Sequence, residues 1–319
     1  MKNTKILVTG AAGFIPSFVT EKLLKEGATV IGIDNFFNGR KENMNGFKDN
    51  KNFTFVEGDI RDSKLMDSLI GKVDMVYHAA TRGLGVSTNN PIEEADVNID
   101  ATINMLDSAK NHKIKRFVYT SSASVYGNAA SIPEKETDAT MPLSPYGVSK
   151  LAAERYCMVY QHLYKLPVVC LRYFNTYGPR QKKDSVYGGV VSIFIYNAIN
   201  NKPLTIYGSG KQTRDFTFVE DTVSATIESF TSEKALGNVI NISRGQEFTV
   251  NHLAELIKKI SGKQDLPVTY IEGRLIDNIQ RRLGDTSLAK KLLNYTPRIS
   301  LEDGLKTTYD WYSRELQTQ

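Results

Sequence analysis

Tyr146 and Lys150 are four positions apart in the stretch SPYGVSKLAAE (144–154), which has the pattern of a helix. Residues at this spacing lie on one helix face, one turn apart. A tyrosine with a pKa of about 10 is a poor base near neutral pH, but a neighbouring ammonium group favours its phenolate form. The pair therefore predicts a general base, although Tyr/Lys pairs at this spacing also occur by chance on surface helices.

A serine cluster, YTSSASVYG (119–127), precedes this helix and ends a predicted strand. Its Ser122 stands 24 positions before Tyr146. A hydroxyl at a strand end can hold a reacting alcohol beside a phenolate, whereas by itself the cluster reads as a polar strand terminus. With Tyr146 present, we interpret Ser122, Tyr146 and Lys150 as the catalytic residues.

A glycine turn near the N-terminus, ILVTGAAGFIPSF (6–18), has the pattern strand–turn–helix. Gly10 and Gly13 stand where a dinucleotide-binding loop needs glycine, for the tight turn and for close approach of the pyrophosphate. A third glycine is expected at position 16, where the chain has Pro16, which costs little hydrogen bonding in a first helical turn but adds bulk toward the sheet. We expect a surviving cofactor site with the helix displaced outward; a glycine turn without a ligand is the alternative.

Asp34 ends the second predicted strand, 24 positions after Gly10. An acidic side chain there can accept hydrogen bonds from the adenosine ribose and would repel a 2′-phosphate, so it predicts NAD rather than NADP. Asp59, which ends the stretch FVEGD, would lie near the adenine. An ordinary turn aspartate is the alternative at both positions.

Strands and helices alternate through the first half of the chain. The predicted strands are apolar and rich in β-branched and aromatic residues: KILVTG, TVIGID, FTFVEGD, DMVYHAA, RFVYTSS and PVVCLRYFN. Continuous apolar strands separated by helices indicate a parallel sheet buried on both faces. The sequence therefore predicts a doubly wound α/β (Rossmann) domain, whose ligands bind at the carboxyl ends of the strands.

The pattern changes after Asn175 to amphipathic helices with fewer strands between them, which predicts a smaller, helix-rich C-terminal domain for the substrate. The stretches VEDTVSATIESF and NVINIS predict one helix–strand return to the sheet. The predicted domains are an NAD-binding domain over 1–175, with 215–243 returning to it, and a substrate-binding domain over 176–214 and 244–319.

Composition and charge narrow the class of protein. The chain has 319 residues, 41% of them hydrophobic and 24% charged, with a net charge of +5. Its basic runs are short and lack interleaved aromatics, so we expect no nucleic-acid partner. Scattered histidines predict no metal site. We expect a cytoplasmic protein without a membrane segment, because no apolar run reaches about 20 residues, Met1–Thr4 leads directly into a strand, and the two cysteines suggest a reducing compartment.

Seven motifs in order resemble the extended short-chain dehydrogenase/reductase family. They are the GxxG turn, Asp34, YHAA, TSSASVYG, SPYGVSK, RYFNTYGPRQ and GSGKQTRDFTFVED. Within that family the likeness is greatest to the NAD-dependent nucleotide-sugar epimerases, typified by UDP-glucose 4-epimerase, and it covers essentially the whole chain. It implies NAD as cofactor, a nucleotide-sugar substrate, and a homodimer formed by the helix carrying Tyr146 and a neighbouring helix.

The resemblance also implies a mechanism and a set of site residues. Tyr146 would take the proton of the sugar 4-hydroxyl while C4 delivers hydride to NAD; the 4-keto sugar would turn over, and hydride would return to its other face. Lys150 would lower the pKa of Tyr146 and bind ribose, and Ser122 would hydrogen-bond the sugar. The cofactor-binding residues would be Gly10, Gly13, Phe14, Ile15, Asp34, Asn35, Asn38, Asp59, Ile60, Ala79, Ala80, Asn98, Tyr146 and Lys150.

The implied contacts to the sugar nucleotide lie in the second half of the chain. Asn175 would contact the sugar nucleotide and Arg214 its diphosphate, because a guanidinium matches phosphate geometry bidentately. A surface arginine paired with Asp215 is the alternative for Arg214. Arg274 is a further candidate for the diphosphate.

Two arginines raise the question of a charged sugar. Arg82 follows the fourth predicted strand, and Arg282 falls close to the position that sets pocket size in the family. Both would border the sugar and could recognise a carboxylate, which would indicate a uronate substrate; exposed or diphosphate-binding arginines are the alternative.

The positions after Ser122 bear on the type of reaction. The 4,6-dehydratases typically carry Asp-Glu there, and uronate decarboxylases often carry Glu at the second position, whereas this chain has Ala123 and Ser124. Epimerisation needs neither carboxylate. We therefore predict a nucleotide-sugar 4-epimerase acting on a UDP-hexose, UDP-N-acetylhexosamine or UDP-uronate; a dehydratase, a decarboxylase, a reductase and a non-catalytic NAD-binding regulator are the alternatives.

Overall fold

The structure, a computed structural model, describes residues 1–182, 189–273 and 278–317. Its strands are β1 (Lys5–Thr9), β2 (Thr29–Asp34), β3 (Phe53–Glu57), β4 (Met75–His78), β5 (Arg116–Ser122), β6 (Val168–Tyr173), β7 (Thr176–Tyr177), β8 (Leu204–Tyr207), β9 (Thr213–Arg214), β10 (Thr217–Phe218), β11 (Val239–Ile242), β12 (Phe248–Thr249) and β13 (Val268–Ile271).

The helices of the described residues are α1 (Phe14–Lys25), α2 (Ser63–Ile70), α3 (Leu84–Asn89), α4 (Pro91–Ala95), α5 (Ala101–Asn111), α6 (Pro145–Tyr164), α7 (Val190–Ile199), α8 (Val219–Thr231), α9 (Val250–Ser261), α10 (Ser287–Leu293) and α11 (Leu301–Gln317). Short 3₁₀ helices lie at Lys41–Met44, Ala123–Tyr126 and Glu233–Ala235. A π-helical turn, Asp96–Asp100, joins α4 to α5. Within this part of the chain, no helix combines the length and apolarity needed to cross a bilayer.

A parallel sheet of seven strands lies at the centre, in the order β3-β2-β1-β4-β5-β6-β11. The six strands predicted from the first half of the sequence are β1 to β6, and the doubly wound fold is confirmed. The chain moves outward from β1 to β3 and then crosses to the other side of β1, so β1 and β4 flank the switch point. In such sheets the ligand binds at this point, beyond the carboxyl ends of the strands.

Helices cover both faces of the sheet, and β1 shows why its sequence is continuously apolar. Ile6 and Val8 join the core cluster that includes Val19 of α1 and Val223 of α8. Leu7 points the other way and joins the cluster that includes Met105 of α5. Alternate residues of a strand point to opposite faces, so a strand buried on both sides has no polar face.

The second half of the chain adds helices and short paired strands. α7, α9 and α11 share the core with β8, which pairs with β13. The predicted return to the sheet corresponds to α8 and β11, and β11 pairs with β6 in parallel. The division of the chain into an NAD-binding domain and a substrate-binding domain stays a prediction.

Candidate active site

A cleft of about 380 Å³ opens at the carboxyl ends of β1, β2, β4 and β5. It therefore lies at the switch point of the sheet, where the fold predicts a ligand. The predicted site residues that line it are Gly10, Gly13, Phe14, Ile15, Asp34, Asn35, Asn38, Asp59, Ile60, Ala79, Ala80, Arg82, Ser122, Tyr146 and Lys150.

The glycine turn brings the main chain close to the opposite wall of the cleft. Gly10 has φ +71°, and a Cβ added there would lie 3.1 Å from the backbone N and Cα of Ala80. A Cβ on Gly13 would lie 2.9 Å from the carbonyl oxygen of Gly10. Both positions therefore require glycine, one for its positive φ and both for close packing of the main chain.

Pro16 is the third residue of α1, which Gly13 caps with extended backbone. At this position an N–H would have no intrahelical acceptor, so proline removes no helical hydrogen bond. Pro16 lines the cleft beside Gly13. The carbonyl of Ala12 accepts instead from the N–H of Arg40 at 3.0 Å and from Asn43 Nδ2 at 2.8 Å. These bonds attach the segment after β2 to the glycine turn.

Asp34 is buried at the end of β2 and accepts hydrogen bonds from two backbone N–H groups, those of Ala12 at 3.0 Å and Phe36 at 2.7 Å. Burial raises the pKa of its carboxyl, and the two N–H donors oppose that rise. Gly39 packs against the carboxylate, because a Cβ there would lie 2.8 Å from either oxygen. Gly39 was not among the residues expected from the sequence, although Asn-Gly shortly after an acidic strand end is a turn signal that could have indicated it.

Asp59 and Asn35 form a polar wall next to Asp34. Asn35 Nδ2 donates to Asp59 Oδ2 at 2.8 Å, and the guanidinium of Arg61 bonds to both oxygens of Asp59 at 3.0 and 2.8 Å. Arg61 lowers the pKa of Asp59 to about 2. Asp59 is therefore ionised at neutral pH, with its orientation fixed on two sides.

His78 joins the ends of β1 and β4. Thr9 Oγ1 accepts the N–H groups of Ala79 and Ala80 at 3.1 and 3.0 Å, so its own proton is directed to His78 Nδ1 at 2.9 Å. His78 Nε2 then carries a proton and donates to Thr102 Oγ1 at 2.9 Å. Burial lowers the pKa of His78 to about 3, in agreement with a neutral ring.

Tyr146 and Lys150 share one face of α6, as their spacing predicts. Ser144 caps this helix by accepting the Gly147 N–H at 3.2 Å, and Pro145 is its first residue. Lys150 is 3% exposed, with its ammonium 4.8 Å from the centre of the Tyr119 ring. Burial lowers the pKa of Lys150 to about 8. The amine therefore stays mostly protonated at neutral pH and can favour a phenolate at Tyr146.

Ser122 is the last residue of β5, on the same wall of the cleft as Tyr146. Its Oγ accepts the N–H of Ser124 at 3.1 Å, which leaves its own O–H to donate into the cleft. The preceding Ser121 donates to Glu154 of α6 at 2.7 Å, and Glu154 forms a buried ion pair with Arg172 of β6. The end of β5 is thereby attached to the helix that carries Tyr146.

Asn98 does not line the cleft but holds the segment after β4. Its Oδ1 accepts the Arg82 N–H at 2.8 Å and the Thr81 hydroxyl at 3.0 Å. It lies in the π-helical turn, a distortion that occurs frequently at functional sites. The implied role of Asn98, support of the cofactor region, stays a prediction.

Arg82 lies at the Asp34 end of the cleft, whereas we expected it beside the sugar. Its guanidinium stacks over the Phe37 ring at 3.6 Å, and its Nε donates to Glu93 at 3.3 Å. Burial raises the pKa of Asp34, and the positive charge of Arg82 opposes that rise.

Of the other predicted substrate residues, Ser122 lines the cleft, whereas Asn175, Arg214 and Arg282 do not. Asn175 is exposed and has φ +21°, while Arg214 Nη1 donates to the carbonyls of Thr213 and Ile279, both at 2.8 Å. Asp215, the alternative partner of Arg214, accepts the N–H groups of Arg244, Gly245 and Gly284. Arg274 lies outside the described residues.

Arg282 points into the protein. Its Nη1 bonds to Glu134 Oε1 at 2.8 Å and to the carbonyl of Ala123 at 2.9 Å, and both charged side chains are buried. Burial raises the pKa of Glu134 to about 7, and the charge of Arg282 opposes that rise. Glu134 is 148 residues away in sequence, and no local pattern could have indicated the pair.

Comparison with known proteins places these features in a family. Residues 7–308 match the family model for GDP-mannose 4,6 dehydratase. The solved structure of UDP-glucose 4-epimerase from Thermotoga maritima with UDP-glucose has a TM-score of 0.92 and 34% identity, covering 98% of this chain and 99% of that one. UDP-glucuronic acid 4-epimerase from Bacillus cereus, solved with UDP-glucuronic acid and NAD, has a TM-score of 0.91 and 36% identity, covering 98% and 99%.

A relative with a different reaction matches as well. UDP-glucuronic acid decarboxylase 1 of Arabidopsis thaliana is 37% identical over 312 residues, which are 95% of this chain and 68% of that protein. The family model and these relatives together cover nearly the whole chain, including the cleft. The chain belongs to the NAD-dependent epimerase/dehydratase family of the extended short-chain dehydrogenases/reductases.

Proposed function

We propose that this chain is an NAD-dependent UDP-sugar 4-epimerase that inverts C4 through a transient 4-keto sugar. One observation carries the proposal: Ser122, Tyr146 and Lys150 line one end of the cleft whose other end is built by the glycine turn and Asp34. A sugar carbinol and a nicotinamide dinucleotide can therefore meet inside one cavity. The similarity to two solved UDP-sugar 4-epimerases supports the same reaction.

The residues of the cleft fit NAD. Gly10 and Gly13 leave no room for side chains where a pyrophosphate would approach the start of α1. Asp34 retains lone pairs for ribose hydroxyls and disfavours a 2′-phosphate. When bound, NAD supplies the acceptor and donor of the C4 hydride.

The chain itself supplies proton transfer and orientation. Tyr146 accepts the proton of the 4-hydroxyl as the carbinol is oxidised and returns it when the ketone is reduced. The Lys150 ammonium stabilises the phenolate, and the Ser122 hydroxyl donates to the reacting oxygen. Because the ketone must present its other face before reduction, the substrate pocket has to let the sugar turn while the nucleotide stays bound.

The reactions of the relatives diverge after the sugar has been oxidised. A 4,6-dehydratase needs an additional acid and base, and the positions after Ser122 provide only Ala123, which is buried, and Ser124, whose N–H bonds to Ser122. Neither side chain is a carboxylate. This favours epimerisation over dehydration or decarboxylation.

The arginines that suggested a uronate already have carboxylate partners. Arg82 bonds to Glu93, and Arg282 bonds to Glu134. They therefore give no support to a uronate over a neutral UDP-hexose or UDP-N-acetylhexosamine, and the cleft itself does not select among these three.

A panel of UDP-, GDP- and dTDP-sugars tests the proposal, with products separated by chromatography. We expect the C4 epimer of a UDP-sugar and no net NADH. Carbon dioxide or a 4-keto-6-deoxy sugar would indicate decarboxylation or dehydration, and steady NADH formation or consumption would indicate a reductase. Cofactor binding without turnover of any sugar would indicate a regulator.

We also propose a homodimer in the cytoplasm. Four apolar side chains on one face of α6 are exposed to solvent and recur at helical spacing: Val148, Tyr156, Val159 and Leu163. A second copy of the same helix would cover this stripe, and light scattering should report twice the chain mass. The buried, free thiols of Cys157 and Cys170 suit a reducing compartment.

A further inference from the structure

Glu94 on α4 is a buried carboxylate that does not line the cleft. It is 1% exposed, and its Oε1 accepts hydrogen bonds from the Ser149 hydroxyl and from Asn98 Nδ2, the latter at 2.5 Å. Ser149 directly precedes Lys150, and its hydroxyl also lies 3.0 Å from the Tyr146 carbonyl oxygen. Glu94 therefore holds the helical turn that separates the two predicted catalytic residues.

Glu94 is also linked, through Asn98, to Arg82, which lines the cleft. Asn98, which donates to Glu94, also donates to the Arg82 carbonyl at 3.1 Å and accepts the Arg82 N–H. The segment after β4 and the catalytic helix thus meet at one carboxylate. Hydrogen bonds of a buried polar network are strong in the low dielectric of the protein interior, so this network fixes the local geometry.

The charges around Lys150 give Glu94 a second role. The titratable groups around Lys150 are Glu94 on α4, Glu154 and Cys157 on α6, Tyr119 on β5, Cys170 on β6 and the neutral His78 on β4, and Tyr146 precedes it by about one turn of α6. Of the two carboxylates, Glu154 is paired with Arg172 at 2.7 and 2.9 Å. Burial lowers the pKa of Lys150, and Glu94 is the strongest of the groups that oppose this fall.

We propose that Glu94 is a positioning residue of the active site, which locks the catalytic helix to the segment after β4 and serves as the counter-charge of Lys150. The proposal rests on the function proposed above for Tyr146 and Lys150. Its consequence is that Glu94 keeps Lys150 protonated to a higher pH than burial alone would allow. The enzyme then retains its activating ammonium under mildly alkaline conditions.

The test measures the pKa of Lys150 directly, by NMR titration of protein carrying isotope-labelled lysine, with Lys150→Met to assign the signal. We expect Glu94→Gln, which keeps the shape but loses the charge, to lower that pKa by about one unit, the scale of a neighbouring charge. The alkaline fall of turnover should move to lower pH by the same amount. An unchanged Lys150 pKa in a folded Glu94→Gln protein would overturn the proposal.

Asp100→Asn is the matched control, because it removes the same charge from an exposed position nearby and should leave the Lys150 pKa unchanged. A shift equal to that of Glu94→Gln would also overturn the proposal. If Glu94→Gln does not fold, Glu94→Asp is the second variant. It moves the charge back by one methylene and should lower the Lys150 pKa by a smaller amount. An unchanged Lys150 pKa in this variant would also overturn the proposal. The titration needs no sugar substrate, so its failure is distinguishable from a wrong assignment of the reaction.

Discussion

The cleft and the arginines predicted to bind the sugar nucleotide differ in how the fold assembles them. The cleft draws its residues from the carboxyl ends of neighbouring strands, where short segments after β1, β2, β4 and β5 meet at one edge. Arg214 and Arg282 lie on later segments, outside the lining of that cleft, and bond to carbonyls and to Glu134. Parallel strands bring motif residues together by register, whereas the arginine positions depend on contacts between distant parts of the chain.

The catalytic end of the cleft should show the largest effect. Tyr146→Phe removes the group that moves the proton, and we expect turnover to fall by roughly 10²- to 10⁴-fold, as for loss of a general acid–base group. NAD content should fall far less than turnover, because the glycine turn and Asp34 are unchanged. Product chromatography measures the first quantity and cofactor released on denaturation the second. Turnover near the wild-type rate would remove Tyr146 from the chemistry.

The second largest effect should be a loss of folding stability in Arg282→Met. Glu134 would lose its cation, and breaking a buried ion pair costs about 3–5 kcal/mol. Because the pKa of Glu134 is raised to about 7, the folded protein keeps the Glu134 proton up to a pH at which the unfolded chain has already lost it. The stability contribution of that proton is lost as pH rises through about 7.

Urea unfolding near pH 6 and near pH 8 tests this pH dependence of stability. We expect Arg282→Met to lose more stability at the higher pH, and the double variant with Glu134→Gln to recover part of the loss. A loss of equal size at both pH values would mean that Glu134 does not titrate in the folded protein.

Arg214→Lys should have a smaller effect, confined to the substrate. Lysine keeps the charge but cannot form a bidentate contact with a diphosphate. We expect KM for the UDP-sugar to rise by about tenfold, which corresponds to ~1.4 kcal/mol, with little change in NAD affinity. If KM stays the same while stability falls, Arg214 supports the fold and does not bind the substrate.

Pro16→Gly should have the smallest effect. Position 16 has no helical hydrogen bond to lose or gain, so we expect NAD to remain bound, with a loss of stability of no more than about 1 kcal/mol from the added chain flexibility. Cofactor content and thermal unfolding report the two quantities. Loss of cofactor binding would show that the proline itself shapes the site.

The sequence could predict the parts of this molecule that depend on local pattern. The turn at Gly10 and Gly13, the end of β2 at Asp34 and the face shared by Tyr146 and Lys150 all follow from spacing within one element. Gly39 could have been predicted in the same way, from the Asn-Gly turn signal after β2. Each of these residues is placed by its own strand or helix and needs no distant partner.

Residues that depend on distant contacts were beyond that reasoning. Arg282 turns toward Glu134, and Arg82 stacks on Phe37 at the end of another strand, so neither orientation is readable from neighbours in sequence. Glu94 carries no local sequence signal that distinguishes it from an exposed acid on a short helix. Its burial appears only when α4 packs against α6.

The neutral ring of His78 has a consequence for acid tolerance. Its two nitrogens bond in opposite senses to Thr9 and Thr102, and burial lowers its pKa to about 3, so mildly acidic pH leaves this contact between β1 and β4 uncharged. The link between the two strands that flank the switch point should therefore persist across the pH range in which an ordinary histidine gains its charge.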